Sequence, residues 1–244
     1  MRHSSRVATL LAVAALPLAL TACSSGSSGS SGGSAGTGAS AAPAKAKDPA
    51  AALATGTQLR GVLAPASAFP AGLTPEADGA SDSGGSLLPP SGKSAGKPDC
   101  TRLEGTSWIQ ATGRKGGESF AQNDYANKDK TQEVAQEIDE FQGTTATTVM
   151  KELRTAATEC AVFTDTDTHA KVKLTGRSTS GLGDEAYTMT LTSGAWQNGT
   201  TLVAVRSGSA VVTVLSTAGT DNGAASAQKV TTRILGSLKD MKTA

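Results

Sequence analysis

An α+β domain, a twisted antiparallel sheet with helices packed on one face, is what this sequence predicts, preceded by a leader and a flexible tether. Three observations predict it. The chain has 244 residues and 24.3 kDa, which allows one ordinary domain with tails, or at most two small ones. All eight aromatic residues lie between Phe69 and Trp196, while the first hundred positions are dominated by Ala, Ser, Gly and Pro, so the folded part lies toward the C-terminus. Within that part the apolar period alternates between helical and two-residue spacing, in the order helix, strands, helix, strands, helix. An antiparallel sheet carrying helices on one face accommodates this order and leaves the other face free as a surface or cleft.

The first 23 residues have a specific pattern. Arg2 and Arg6 precede an apolar run from Val7 to Leu20 that is broken only by Thr9 and Pro17, as in the n- and h-regions of a signal peptide. The run is shorter than the roughly 20 apolar residues that span a bilayer. It ends in Leu20-Thr21-Ala22-Cys23, which resembles the lipobox of bacterial lipoproteins. Residues 1–22 are therefore expected to be removed and Cys23 to carry a diacylglyceryl thioether, two chains on one sulfur making a stable anchor. Loss of Arg2 and Arg6 takes the formal charge from +1 to −1, which implies neither a polyanionic nor a polycationic partner. Residues 24–40 hold eight Ser and six Gly, a composition that does not fold. The anchored linker is read as 23–56, with a root-mean-square reach of about 30 Å.

Cys23 leaves Cys100 and Cys160 as an even pair in an exported, oxidising setting, so one disulfide is expected. Sixty residues without Cys-x-x-Cys spacing or companion histidines do not suggest zinc.

The domain is read as 57–244. Leu59, Val62 and Leu63 predict a short helix with Thr57 as cap and Pro65 as stop. Residues 74–99 return to Gly, Ser, Pro and Asp and are read as a long disordered surface loop. Residues 118–141 fit a helix or a strand hairpin turning at Asn127-Lys128-Asp129-Lys130. Val149, Leu153, Ala156 and Cys160 share a helical face, with capping hydroxyls in the Gly-Thr-Thr entry. Val172 and Leu174 alternate with Lys171 and Lys173, and Tyr187, Met189 and Leu191 with Thr188, Thr190 and Thr192, predicting two half-buried strands. Ser207-Gly208 marks a hairpin whose second arm, a nearly continuous apolar run, reads as central. Val230, Ile234, Leu238 and Met241 line a last helix, capped by Asp221 or Asn222.

No constellation defines a reaction, and no catalytic residue, metal ligand or cofactor site is assigned. After removal of the leader His169 is the only histidine. Asp165-Thr166-Asp167-Thr168-His169 resembles the start of a calcium loop, but Ala170 and Gly176 stand where such a loop needs Gly and Glu. It reads as a polar turn between strands. Gly92-Lys93-Ser94 resembles the end of a phosphate loop, but Leu87 stands where the pattern requires Gly. Asn198-Gly199-Thr200 matches a glycosylation sequon and reads more simply as a type I′ turn. Trp108 and Trp196 could stack on a sugar but read as core support. Asp184-Glu185 and Glu137, Asp139 and Glu140 read as solvated runs, because neighbours on a strand point to opposite faces.

Taken in order, residues 59–72 (LRGVLAPASAFPAG), Cys100-Thr101-Arg102-Leu103 with Trp108, Cys160-Ala161-Val162-Phe163, Gly181-Leu182-Gly183-Asp184-Glu185-Ala186 and residues 203–214 (VAVRSGSAVVTV) resemble the PknH-like extracellular sensor domain of actinobacterial receptor kinases and lipoproteins. The resemblance covers most of residues 57–242. It implies strands for 118–141, a cleft for an unidentified extracellular ligand, and no enzymatic activity. The functional expectation is a lipoprotein on the outer face of the cytoplasmic membrane, held by lipid on Cys23, whose sensor-like domain binds a small envelope ligand. The alternative is an accessory protein that binds an envelope partner through its Thr- and Ser-rich strand faces. A nucleic-acid partner is not expected.

Overall fold

The computed structural model describes residues 53–94, 96–105 and 108–243. The expected leader, Cys23 and nearly all of the tether lie outside the described residues. Helix α1 spans Gly56–Arg60 and starts two residues earlier than the sequence predicts. Its cap is Thr55, not Thr57: Thr55 Oγ1 accepts from the Gln58 N–H, and Gln58 Oε1 accepts from the Thr55 N–H at 2.8 Å. This reciprocal pair is a capping box, which satisfies two donors that a helix start leaves orphaned.

The remaining elements are β1 (Thr74–Pro75), β2 (Ser81–Asp82), α2 (Trp108–Ala111), β3 (Ser119–Ala126), β4 (Glu133–Glu140), α3 (Thr145–Glu159), β5 (Val162–Thr164), β6 (Lys171–Thr179), β7 (Glu185–Ser193), β8 (Thr200–Ser207), β9 (Ala210–Ser216) and α4 (Ala224–Thr243). All the strands join one antiparallel sheet in the order β1-β3-β4-β9-β8-β7-β6-β5, with β2 also on β3. Residues 118–141 thus resolve as strands. The hairpin between β8 and β9 turns on Gly208 and Ser209, with Gly208 at φ +64°, the left-handed position that suits glycine in a two-residue turn.

The α+β class and the antiparallel sheet are as expected, but helices cover both faces of the sheet, not one. On one face α1 and α4 enclose Val134, Ile138, Val203, Val205, Val212 and Val214 together with Leu59, Val230, Ile234 and Leu238. On the other α2 and α3 enclose Ala135, Leu202, Ala204, Val211 and Leu215 together with Trp108, Val149, Met150 and Leu153. The reason lies in β8 and β9, where apolar side chains occupy successive positions and both faces demand burial. Asp221 Oδ2 accepts from the Ala225 N–H at 2.8 Å and caps α4. Thr144, before α3, makes no side-chain cap bond.

Residues 74–99 also differ from the expected disordered loop. Glu76, Ser83 and Leu88 donate backbone N–H groups to Asp124, Phe120 and Glu118, and Ser94 donates to Gly113. The segment runs as an irregular border along β3. Its order comes from main-chain hydrogen bonds, for which polar side chains leave no periodic trace.

Candidate ligand-binding face

Opposed residues of paired strands share a face, so the register assigns every side chain. Met189, Leu191, Val172, Leu174 and Phe163 of β5, β6 and β7 point to the α3 face and are buried there. The alternate set points to the α4 face: Val162 and Thr164; Lys171, Lys173, Thr175, Arg177 and Thr179; and Thr188, Thr190 and Thr192. Helix α4 packs on β8 and β9, and this outer wing of the sheet stays open. Lys171, Lys173, Thr175, Arg177 and Thr192 are exposed, and Val162 retains 59% of its accessible surface.

The register sets a cation or hydroxyl opposite each wing threonine except Thr179, which faces Ala186. Lys173 faces Thr192, Thr175 faces Thr190, and Arg177 faces Thr188. Thr179 and Thr188 share a hydrogen bond at 2.7 Å, and Lys171 Nζ donates to Thr164 Oγ1 at 3.1 Å. Among the described residues no carboxylate lies within ion-pair distance of Lys171, Lys173 or Arg177. At the inner margin Thr201, opposite Thr190 and buried beside α4, has a hydroxyl without a hydrogen-bond partner among the described residues.

Two structures brace the wing. At one end Asp165 accepts N–H bonds from Asp167 and Thr168, both at 2.8 Å, and from the Trp196 indole at 2.8 Å. Burial pushes this carboxyl up, but the donors outweigh it and hold Asp165 below the usual carboxylate range. The expected polar turn is therefore present, and its first carboxylate is consumed by protein donors. His169 closes the turn at φ +55° and donates its backbone N–H to the Asp165 carbonyl.

At the other end the Gly181–Ala186 stretch fits tightly against β8. Gly183 sits at φ +54°, and a Cβ there would lie 2.5 Å from the Arg206 carbonyl oxygen. Asp184 accepts from Arg206 Nη1 at 2.8 Å and from the Gly208 N–H at 2.7 Å. Glu185 pairs with Arg154 of α3 and, at 3.5 Å, with Arg206. Arg154 also lies over the Tyr187 ring, 5.6 Å from its centroid. Glu185 thus ties α3 to β7 and β8, while Asp184 stays exposed with its carboxylate bonded to Arg206 and Gly208.

The other sequence candidates take structural places. Trp108 is fully buried, and Trp196 packs partly buried against the α3-face core. Asn198-Gly199 is not a type I′ turn: the β7–β8 connection is six residues long, neither residue has positive φ, and the Gly199 N–H donates to Asn222 Oδ1 at 3.0 Å. Lys93 forms a bridge to Arg114 and an ion pair with Glu152 at 3.4 Å. Cys100 and Cys160 are joined, Cα to Cα 5.5 Å.

Glu137, Asp139 and Glu140 overturn the expectation of a solvated run, being at most 1% exposed. Their strand, β4, lies between β3 and β9 and is covered on both faces. Asp139 Oδ1 accepts from the Gly117 N–H at 2.8 Å, and Glu140 meets Lys242 at 3.4 Å. On adjacent β3, Gln122 Oε1 and Asp124 Oδ1 are buried and meet no hydrogen-bond partner among the described residues. Burial, then Glu133, then Glu76 push the Asp124 carboxyl up to about 7.

No family model matches the chain, and no curated protein matches its sequence. Among the described residues no helix is long and apolar enough to cross a membrane, and no group of three His, Cys, Asp or Glu side chains is arranged to hold a metal ion.

Proposed function

We propose that this chain is a non-catalytic binding protein of the cell envelope, anchored by lipid on Cys23 and presenting the α4 face of the β5–β7 wing to an envelope component. One observation carries the reading: a sheet covered on both faces at its central strands β4, β9 and β8 leaves this wing open on one side, lined with cations and hydroxyls. The resemblance to PknH-like sensor domains supports an extracellular binding role. The leader pattern supports an outer-face location. A second reading, an enclosed small envelope ligand, draws on Gln122 and Asp124, whose buried acceptors lack donors among the described residues. A buried polar atom without a partner costs about 1–3 kcal/mol, which a ligand N–H or O–H would relieve.

Two measurements test the proposal. Cells fed an alkyne-tagged fatty acid should label the wild-type chain and not Cys23→Ser; equal labelling of both removes the anchor. Thermal unfolding against peptidoglycan fragments, envelope lipids and sugars should show a dose-dependent rise in Tm, because a native-state ligand stabilises by mass action. A rise abolished by Thr190→Val with Thr192→Val supports the wing. A rise that only Gln122→Leu abolishes moves the ligand to β3.

A further inference from the structure

We infer that the β5–β7 wing takes a linear polyanion, a polymer carrying repeated phosphate or carboxylate groups, laid along β6. This rests on the reading of that face as the binding surface and names its occupant. Lys171, Lys173 and Arg177 stand on one face of one strand, and at about 3.4 Å per residue the row is roughly 20 Å long. A straight row of charge matches an extended chain better than a compact ligand. All three cations are exposed and lack a carboxylate partner among the described residues, although the whole chain is close to neutral. The charge is thus segregated locally and left for something outside the domain.

The hydroxyls fix the kind of contact. Thr175, Thr190 and Thr192 flank the row and donate to oxyanions without adding charge. Among the described residues no aromatic side chain of β5, β6 or β7 joins the face: Phe163 and Tyr187 point to the opposite side of the sheet. A surface without stacking platforms reads charge and backbone spacing rather than bases or sugar rings. Val162 is its one exposed large apolar group among the described residues, too little to bury in a bilayer. Three exposed cations with no inserting apolar group make a weak membrane contact.

The test uses the full-length chain, with inorganic polyphosphate and polygalacturonate as probes. Neutral dextran and vesicles of phosphatidylcholine with one-third phosphatidylglycerol serve as comparisons. Both polyanions should bind, with log affinity falling against log salt at a slope of about −2 for three contacts. The triple variant Lys171→Gln, Lys173→Gln and Arg177→Gln should lose about tenfold or more and flatten that slope. Its Tm should stay at the wild-type value, since the three side chains are exposed, and Lys229→Gln with Lys239→Gln on α4 should bind as wild type. Absence of polyanion binding at low salt overturns the inference, as does equal affinity of the triple variant. Vesicle binding that the triple variant loses, without polymer binding, replaces the polymer with a membrane surface. If polyanions fail while a neutral fragment binds and Thr190→Val with Thr192→Val weakens it, the wing remains the binding surface and only its occupant changes. If no probe binds and neither set of wing variants alters any property, the reading of the face falls too.

Discussion

Asp124 is the side chain whose charge the fold opposes most visibly. Its folded-state carboxyl titrates at about 7 against an ordinary 3.8, through burial and then Glu133 and Glu76. Because the folded state holds the proton more tightly, its stabilising contribution is full below about pH 4 and is lost as pH rises through 7. Asp124→Asn should therefore raise Tm at pH 8 and leave it nearly unchanged at pH 4, the difference corresponding to about 4 kcal/mol. A parallel shift at both pH values would mean that packing, not ionisation, is what the substitution changes. Asp165 acts in the opposite sense and in a lower window: its donors hold the carboxyl down, so its stabilisation is present above the ordinary carboxylate range and disappears in stronger acid. Gly183 is constrained by shape instead. With positive φ and no room for a Cβ beside the Arg206 carbonyl, Gly183→Ala should cost about 2 kcal/mol or more, combining backbone strain with a steric overlap. Urea unfolding reads it directly, and a cost below about 0.5 kcal/mol, within the range of ordinary surface substitutions, would contradict the fit.

Element by element, the disulfide joins the turn at Cys100–Glu104 to the residue that ends α3, where Cys160 is wholly buried. Closing a loop of this length stabilises by about 4 kcal/mol in the chain-entropy model. Cys100→Ser with Cys160→Ser should lower the urea midpoint accordingly, and an unchanged midpoint would show that the reduced chain already holds these elements together. Legibility followed the same scale. The faces of β6 and β7 were readable because Lys171 and Lys173 alternate with Val172 and Leu174, and Thr188, Thr190 and Thr192 with their apolar neighbours. The helical stripes of α3 and α4 were equally plain. The border at residues 74–99 was not, because backbone donors hold it to β3. The buried acids of β4 were hidden for a related reason. Glu137 and Asp139 look solvated in isolation, and only the pairing of β4 between β3 and β9 encloses them. As for the candidate face, its residues and its exposure on β6 were readable from that alternation, but where α4 ceases to cover the sheet was not, since that breadth follows from packing alone.

Across the whole molecule, two helical layers enclose the central strands and leave one wing open, so the packed cores and the proposed binding face occupy different parts of one sheet. The centre itself depends on a distant pairing: Val134 lies opposite Ser216, and Glu140 opposite Ala210. These partners are roughly 70 to 80 positions apart in the chain, the kind of contact that slows folding because a long loop must close before any pairing is gained. The β3–β4 hairpin pairs locally, but its acids and apolar side chains stay uncovered on the β4 edge until β9 arrives. A chain that folds segment by segment thus holds β4 as an unfinished edge until residues 210–216 add to it, and both cores close only then.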